Sequence, residues 1–166
     1  MAVFRTAYRK TMNFEPTHKL EVRNGSTYFG RISRLKNVSW EGWQYTDRGE
    51  EVPQEVIENF YYLDLWCPLW CHLIDEQEVA WSLFDYSLTS GYDTAIRTIQ
   101  KVVQVKQTGN MGPDTLEMIN CWDETELLLK VVIARCFYYL KEQKNIVKNI
   151  TRALAAINNP GHLHRQ

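Results

Sequence analysis

The first hydrophobic positions of the chain repeat with the period of an α-helix. Phe4, Tyr8 and Met12 follow one another at four-residue spacing, which places them on one face of an amphipathic helix. Pro16 ends this helix, because the residue before a proline is driven out of the helical conformation. Glu15 is therefore predicted to lie at the carboxyl end of the first helix.

Residues 17–52 show no sustained hydrophobic period. They contain several glycines, and the pair Asn24-Gly25 is a strong turn signal. We expect a long irregular loop here, in which residues 26–32 hold at most a short strand or one arm of a β-hairpin. A loop of this length in a small domain is usually functional.

Helical periodicity dominates from Pro53 onward, and the predicted helices begin or end at recognisable signals. These signals are Pro53 and Pro113 at helix starts, the pairs Asp75/Glu78 and Asp123/Glu126 at helix caps, and Gly91 at a helix end. The pattern predicts an all-α fold in one domain, with the long loop after the first helix. Residues 1–74 hold the first helix, the loop and the second helix, residues 75–158 a further helical half, and residues 159–166 a tail.

Composition and charge narrow the classes of function. The chain of 166 residues has a formal net charge of −1, so it lacks the clustered surplus of Lys and Arg that nucleic-acid binding requires. The longest uncharged apolar stretch, residues 65–74, is too short to span a bilayer, and the N-terminus lacks the apolar segment of a signal peptide. We expect a monomer that is cytoplasmic as synthesised and has neither a nucleic-acid partner nor a membrane span.

The cysteines raise the question of a metal site. Cys67, Cys71 and His72 lie close together, but their spacing is loose and no second Cys/His pair follows nearby. Without a signal peptide, reduced thiols are the default, and we interpret these cysteines as free buried thiols. Neither a metal ion nor an organic cofactor is expected.

The order of many short segments resembles one known family. The segments that carry the resemblance include Phe14-Glu15, Gly25 to Gly30, Trp40-Glu41-Gly42-Trp43, Leu83-Phe84-Asp85, Gly112-Pro113 and Ile119-Asn120. Over about residues 3–158 the chain is similar to the phage-type N-acetylmuramidases of glycoside hydrolase family 108, which include the secretion-activator proteins. The resemblance implies a lysozyme-like helical fold and a second half like peptidoglycan-binding domains. It also implies cleavage of peptidoglycan glycan strands in the bacterial cell wall after release, for which a protein partner is one route.

Glu15 matches the catalytic Glu of that family, which opens a Glu-Gly-Gly-Tyr motif at the end of the first helix. Pro16-Thr17-His18 stands in place of the rest of this motif. Arg31 is a one-residue insertion between Gly30 and Ile32. These departures fall in the loop that the resemblance identifies as the active-site loop.

A glycosidase needs a carboxylic acid that is protonated near neutral pH, where an ordinary Glu is ionised. The partial negative charge at a helix carboxyl end and the apolar ring of Phe14 both favour a raised pKa for Glu15. We therefore expect Glu15 to be the general acid. The alternative is a solvated Glu that merely ends a helix.

A second group must stabilise the transition state or activate a water molecule. Glu21 is the nearest carboxylate in the predicted loop, Thr27 is suited to hold a water by hydrogen bonding, and His18 is a candidate proton partner of Glu15. Each of them is otherwise a plain loop or strand residue. Five aromatic residues are candidates for sugar stacking or for the core: Tyr28, Trp40, Trp43, Tyr61 and Trp66.

The sequence leaves several functions open. The first is an N-acetylmuramidase of the lysozyme type with Glu15 as general acid. The second is a catalytically weakened or inactive relative that binds peptidoglycan or a partner in secretion or phage release, and the altered residues after Glu15 favour it. A lytic transglycosylase, which uses one acid and no water, and a helical interaction protein without a glycan role complete the set.

Overall fold

The structure is a computed structural model that describes residues 1–15, 18–143 and 145–158. These residues form a mostly helical fold with one small sheet directly after the first helix, which confirms the predicted helical class and agrees with a lysozyme-like fold. The helices are α1 (Phe4–Met12), α2 (Gly42–Asp47), α3 (Gln54–Tyr61), α4 (Gln77–Ser90), α5 (Tyr92–Val102), α6 (Pro113–Cys121), α7 (Glu124–Glu142) and α8 (Ile146–Leu154). The predicted tail, residues 159–166, lies outside the described residues.

The predicted loop after α1 contains more regular structure than expected. Strands β1 (Leu20–Arg23), β2 (Ser26–Phe29) and β3 (Ile32–Ser33) form an antiparallel sheet in the order β1-β2-β3, and α2 follows them. The Asn24-Gly25 turn joins β1 to β2, as the turn signal predicts. All residues of β1 are exposed, so this strand has no buried face and leaves no hydrophobic alternation in the sequence.

The connection between β2 and β3 is a two-residue hairpin turn formed by Gly30 and Arg31, since Phe29 pairs with Ile32. Gly30 has a φ of +58°, in the left-handed region that favours glycine. A Cβ at this position would also lie 2.9 Å from Cδ2 of His18. Glycine therefore allows the tight turn and the close approach of His18, and it fixes where the Arg31 side chain leaves the hairpin.

Helix α4 lies at the centre of the molecule. Every residue from Glu78 to Ser87 is buried, and α1, α5, α7 and α8 pack around the helix. Polar groups on a helix that is buried on all sides need partners from its neighbours, and Arg135 of α7 supplies them to Ser82 and Asp85. Neither α4 nor any other described helix combines the length and the hydrophobicity needed to cross a bilayer.

One predicted helix cap is confirmed and one is wrong. Asp123 accepts a hydrogen bond from the backbone N–H of Glu126 at 2.9 Å and caps α7 as predicted. The pair Asp75/Glu78 makes no capping box, because α4 begins two residues after Asp75 and has no side-chain cap. The Lys10 ammonium instead binds the buried Glu78 carboxylate at 2.5 Å. Glu78 thus joins α4 to α1.

Candidate active site

An open groove runs between α1, α3 and the sheet. It consists of two hollows of about 790 Å³ and about 520 Å³, which share His18 and Gln54. The first hollow is lined mainly by residues of α1 and α3, namely Tyr8, Arg9, Lys10, Met12, Asn13, Glu15 and Glu58. The second is lined by residues of the sheet and of the segment around α2 and α3, namely Leu20, Phe29, Thr46, Gly49, Glu50, Glu51, Val52 and Ile57. The two hollows of the groove thus adjoin at His18 and Gln54, and many of their side chains are polar.

Glu15 lies in the first hollow, just beyond the end of α1. Its backbone N–H donates to the carbonyl of Met12 at 3.3 Å, so the chain keeps a helical turn up to this residue. The carboxylate is turned inward, with only 2% of the side chain exposed. Arg31 Nε donates to Glu15 Oε2 at 2.6 Å, and Arg152 Nη1 donates to Glu15 Oε1. Each carboxylate oxygen is therefore bound by a different guanidinium group.

The electrostatic surroundings of Glu15 differ from those expected from the sequence. Burial acts to raise the pKa of Glu15, but the guanidinium groups of Arg31 and Arg152 outweigh it and hold the pKa below the ordinary value of 4.5. The expectation of a raised pKa is therefore wrong for this conformation, in which Glu15 is ionised at neutral pH. Arg152 is 137 positions away in the sequence, so the residues around Glu15 could not reveal it.

Arg152 belongs to a buried network of charged groups behind Glu15. Its Nε donates to both oxygens of Asp85, at 2.7 and 2.8 Å. Arg135 Nη2 donates to Asp85 Oδ2 at 2.7 Å, and the Thr11 hydroxyl donates to Asp85 Oδ1 at 3.1 Å. Buried charges are tolerated only when they are paired and hydrogen-bonded. The network therefore fixes Arg152, and through it one oxygen of Glu15.

His18 lies where the two hollows meet. Its ring stacks on Phe29 with the centroids 5.8 Å apart, and its Nε2 is 3.2 Å from the Tyr61 hydroxyl. Burial lowers the pKa of His18 by more than the Glu15 carboxylate raises it, so the imidazole is neutral at pH 7. Burial also raises the pKa of Tyr61, which stays protonated. His18 is predicted as a proton partner of Glu15. In the structure it lines the same hollow as Glu15, as a neutral ring held by Phe29 and Tyr61.

Three of the five aromatic candidates for sugar stacking lie in the core. Trp43, Tyr61 and Trp66 are 3%, 0% and 1% exposed. Trp66 contacts Phe84 edge to face with the ring centroids 5.6 Å apart, as core rings commonly do. Buried rings cannot receive a sugar, so this structure corrects the stacking hypothesis for these three and supports the alternative that they are core residues.

The other two aromatic candidates are partly exposed but do not line the groove. Trp40 packs edge to face on Trp43 at a centroid distance of 4.9 Å and borders a separate hollow. Tyr28 alternates with Phe29 along β2, so it faces the side of the sheet opposite the groove. The Arg23 guanidinium lies there, 5.3 Å from the centroid of the Tyr28 ring. Any sugar contact by these two rings would lie outside the groove.

Glu21 and Thr27 lie on opposite faces of the sheet. Thr27 shares its face with Phe29, which lines the second hollow, because residues two apart in a strand point the same way. Glu21 points to the other face, where its carboxylate binds Arg23 at 2.6 Å. The structure therefore does not bring Glu21 together with Glu15 in the groove. Thr27 is partly buried on the groove side and stays a candidate for holding a water.

The groove contains polar residues that the sequence patterns did not single out. Gln54 Nε2 donates to the Tyr8 hydroxyl at 3.0 Å and to Glu58 Oε1 at 3.2 Å, which orders three side chains along the first hollow. Glu50 and Glu51 also line the second hollow, and the Glu50 carboxylate binds Arg48 at 3.0 Å. No local motif marks these residues, because they come together only once α1, α3 and the sheet lie side by side.

Among the residues that the structure describes, no cluster of three or more potential metal ligands occurs. Cys71 is buried, and its thiol donates to the carbonyl of Ala80 at 3.6 Å. Burial raises the pKa of the Cys71 thiol well above its usual range, which makes it unreactive. Cys67 is half-buried and free.

The fold has a counterpart among solved structures. SagA of Brucella abortus matches this chain with a TM-score of 0.70 at 18% sequence identity, and the match covers 95% of this chain and 97% of SagA. No protein-family model matches the chain, and no curated protein matches it in sequence. A likeness at this level of identity concerns the fold alone. Over nearly its whole length, this chain therefore has the fold of Brucella abortus SagA.

Proposed function

We propose that this chain is a peptidoglycan hydrolase of the N-acetylmuramidase type that uses Glu15 as its general acid. The observation that carries the proposal is the position of Glu15, at the end of the first helix in an open groove whose far wall is the small sheet. A glycan strand is extended and rich in hydroxyl and amide groups, and a polar groove of this kind suits it. The family resemblance in the sequence supports the same role for Glu15.

The reaction requires a change in the protonation of Glu15. A general acid donates its proton to the glycosidic oxygen while the bond from that oxygen to the sugar carbon breaks, and water then attacks the positively charged sugar. Glu50 and Glu51 line the second hollow and are candidates to accept the proton of this water, whereas Glu21 faces away. Thr27 is a candidate to hold the water in place.

The test is the clearing of purified peptidoglycan by the wild type, by Glu15→Gln and by Glu126→Gln. Glutamine has nearly the shape of glutamate but cannot act as an acid, so we expect Glu15→Gln to clear roughly 10²- to 10⁴-fold more slowly. Glu126 is an exposed carboxylate on α7, whose residues do not line the groove, and its replacement should leave the rate unchanged. Equal clearing by the wild type and Glu15→Gln would contradict the role of Glu15.

Mass spectrometry of the products separates hydrolysis from lytic transglycosylation. Hydrolysis adds one water and leaves a reducing-end N-acetylmuramic acid. A transglycosylase leaves an end that lacks this water, because a hydroxyl group of the same sugar closes a ring. Products with the anhydro end would favour the transglycosylase, in which Glu15 acts without a second carboxylate.

The double ion pair of Glu15 favours a second candidate, a relative that binds glycan strands without cleaving them. Arg31 and Arg152 hold the Glu15 carboxylate deprotonated, and a deprotonated carboxylate cannot donate a proton. In this case the wild type and Glu15→Gln would both sediment with purified peptidoglycan, and neither would clear it. If the wild type neither sediments with peptidoglycan nor clears it, both glycan functions are wrong, and a helical interaction protein without a glycan role remains.

A further inference from the structure

We propose that Arg31 controls the acid: its ion pair with Glu15, here called the Arg31 latch, keeps the carboxylate deprotonated in the resting protein and must open before Glu15 can donate a proton. The inference rests on the proposed function, because the latch acts on the same residue. Arg31 is in this view a positioning residue that acts through Glu15 and does not itself take part in the reaction.

Arg31 reaches Glu15 from the tip of the β2–β3 hairpin. Its Nε donates to Glu15 Oε2 at 2.6 Å, and its Nη1 donates to the carbonyl of Leu88 at 3.2 Å, in the last turn of α4. One side chain thus connects the hairpin tip to the ends of α1 and α4.

The two arginines that bind Glu15 are held very differently. The Arg152 side chain is 0% exposed and also binds Asp85, whereas the Arg31 side chain is 36% exposed. Among the described residues, the Arg31 side chain makes one other hydrogen bond, to the Leu88 carbonyl at 3.2 Å. A partly exposed guanidinium can exchange its partner for water, whereas withdrawing a buried one leaves an uncompensated charge. Arg31 is therefore the partner that can leave.

The charged and titratable groups that face Glu15 come from every element packed against it. They are Arg31 from the hairpin, Arg152 from α8 with Asp85 and Arg135 behind it, and the neutral His18 and Tyr61. Arg9 and Lys10 of α1 and Glu58 of α3 line the same hollow. Arg152 is shared between Glu15 and Asp85, whereas Arg31 pairs with Glu15 alone. When Arg31 leaves, Glu15 keeps only Arg152 as a counter-ion and its Oε2 loses its donor, so burial then has more weight in favour of the protonated acid.

The test compares Arg31→Gln, Arg31→Lys and Arg34→Gln. Arg34 follows β3 and forms a surface ion pair with Asp47 at 2.5 Å, so Arg34→Gln removes a nearby arginine without touching Glu15. The titration of Glu15 is followed by NMR on protein with ¹³C-labelled glutamate, and its signal is the one missing from Glu15→Gln. We expect the titration midpoint to move to higher pH in Arg31→Gln, to stay at the wild-type pH in Arg34→Gln, and to move less in Arg31→Lys, which keeps a cation.

Peptidoglycan clearing is the second readout. Arg31→Gln should clear faster than the wild type at pH 7 by roughly tenfold, which is part of the 10² to 10⁴ that a general acid supplies, while Arg34→Gln should match the wild type. An unchanged Glu15 titration in Arg31→Gln would overturn the proposal, and so would a moved titration with slower clearing at every pH. If the titration moves but no protein clears peptidoglycan, the proposed function fails and the control of Glu15 ionisation by Arg31 stands, because the NMR readout does not depend on catalysis.

Discussion

At the scale of single residues, the proposed function sets two opposed demands on Glu15. As an ion it binds two arginines and stabilises the folded chain, whereas as the proposed acid it would have to hold a proton that these same arginines disfavour. Residues in functional sites often reduce stability, but here the resting state of the candidate acid contributes to stability. Catalysis by Glu15 would therefore cost part of the interaction that joins the hairpin and α8 to the end of α1.

The pH dependence of stability tests this view of Glu15. Because its pKa in the folded protein lies below the ordinary value of 4.5, its contribution to stability is complete above about pH 4.5 and is lost as the pH falls through the folded pKa. We expect Glu15→Gln to unfold at lower urea concentration than the wild type at pH 7, and the gap to shrink below pH 4.5. Glu21→Gln, which removes an exposed ion pair with Arg23, should change stability by less than about 1 kcal/mol at either pH. A gap for Glu15→Gln that is the same at pH 7 and pH 3 would refute the ion-pair account.

At the scale of elements, the sequence predicts what depends on near neighbours. The period of α1 and the cap at Asp123 are local patterns, and the structure contains both. The exposed strand β1 carries no such pattern, and it was therefore missed. Glu15 is a candidate from its place after α1 together with the family resemblance, and His18 from its place after Glu15. The sequence does not single out Arg152, which with Arg31 keeps Glu15 ionised, because only the packing of α8 against α4 and α7 brings it there.

The junction of α4 and α5 gives a prediction at this scale. Gly91 ends α4 with φ +90° and ψ 156°, a conformation nearly confined to glycine, and no atom lies within 4 Å of where its Cβ would be. Gly91→Ala should therefore lower the free energy of unfolding by about 1–3 kcal/mol through backbone strain alone. Gly112 is the matched control, because it has equal space but an extended backbone with φ −152°.

Urea unfolding followed by circular dichroism measures both glycine variants. Gly112→Ala should cost less than about 1 kcal/mol, the range for a changed helix cap. Similar losses in Gly91→Ala and Gly112→Ala would show that the conformation at the end of α4 does not limit stability.

At the scale of the whole molecule, the two predicted halves share one core. Helix α1, from the first half, packs on α4 from the second, and the buried Lys10–Glu78 contact joins the same two helices. The buried residues of both halves form one hydrophobic cluster. The division at residue 74 thus follows the order of the elements along the chain and does not separate two cores. We expect the two parts to fold together.

This expectation has a direct measurement. Four of the six tryptophans, at positions 40, 43, 66 and 70, lie in the first half, so tryptophan fluorescence reports mainly on that half, whereas far-ultraviolet circular dichroism reports on helices along the whole chain. A single cooperative unit requires the two signals to change at the same urea concentration. Two separate transitions, with fluorescence and helix content lost at different concentrations, would show that the halves are independent domains.

The contact between Glu15 and Arg152 has a consequence for the making of the protein. The two residues are 137 positions apart, so at ribosomal speeds Glu15 is polymerised roughly 7–27 s before its partner on α8. From its own synthesis until the end of that interval, Asp85 also lacks Arg152, and Arg135 is added only late. A nascent chain thus carries the carboxylates of the site without their buried cations. The groove reaches its final charge state only when α8 docks. Until synthesis has passed residue 152, Glu15 therefore lacks one of the two arginines that bind its carboxylate.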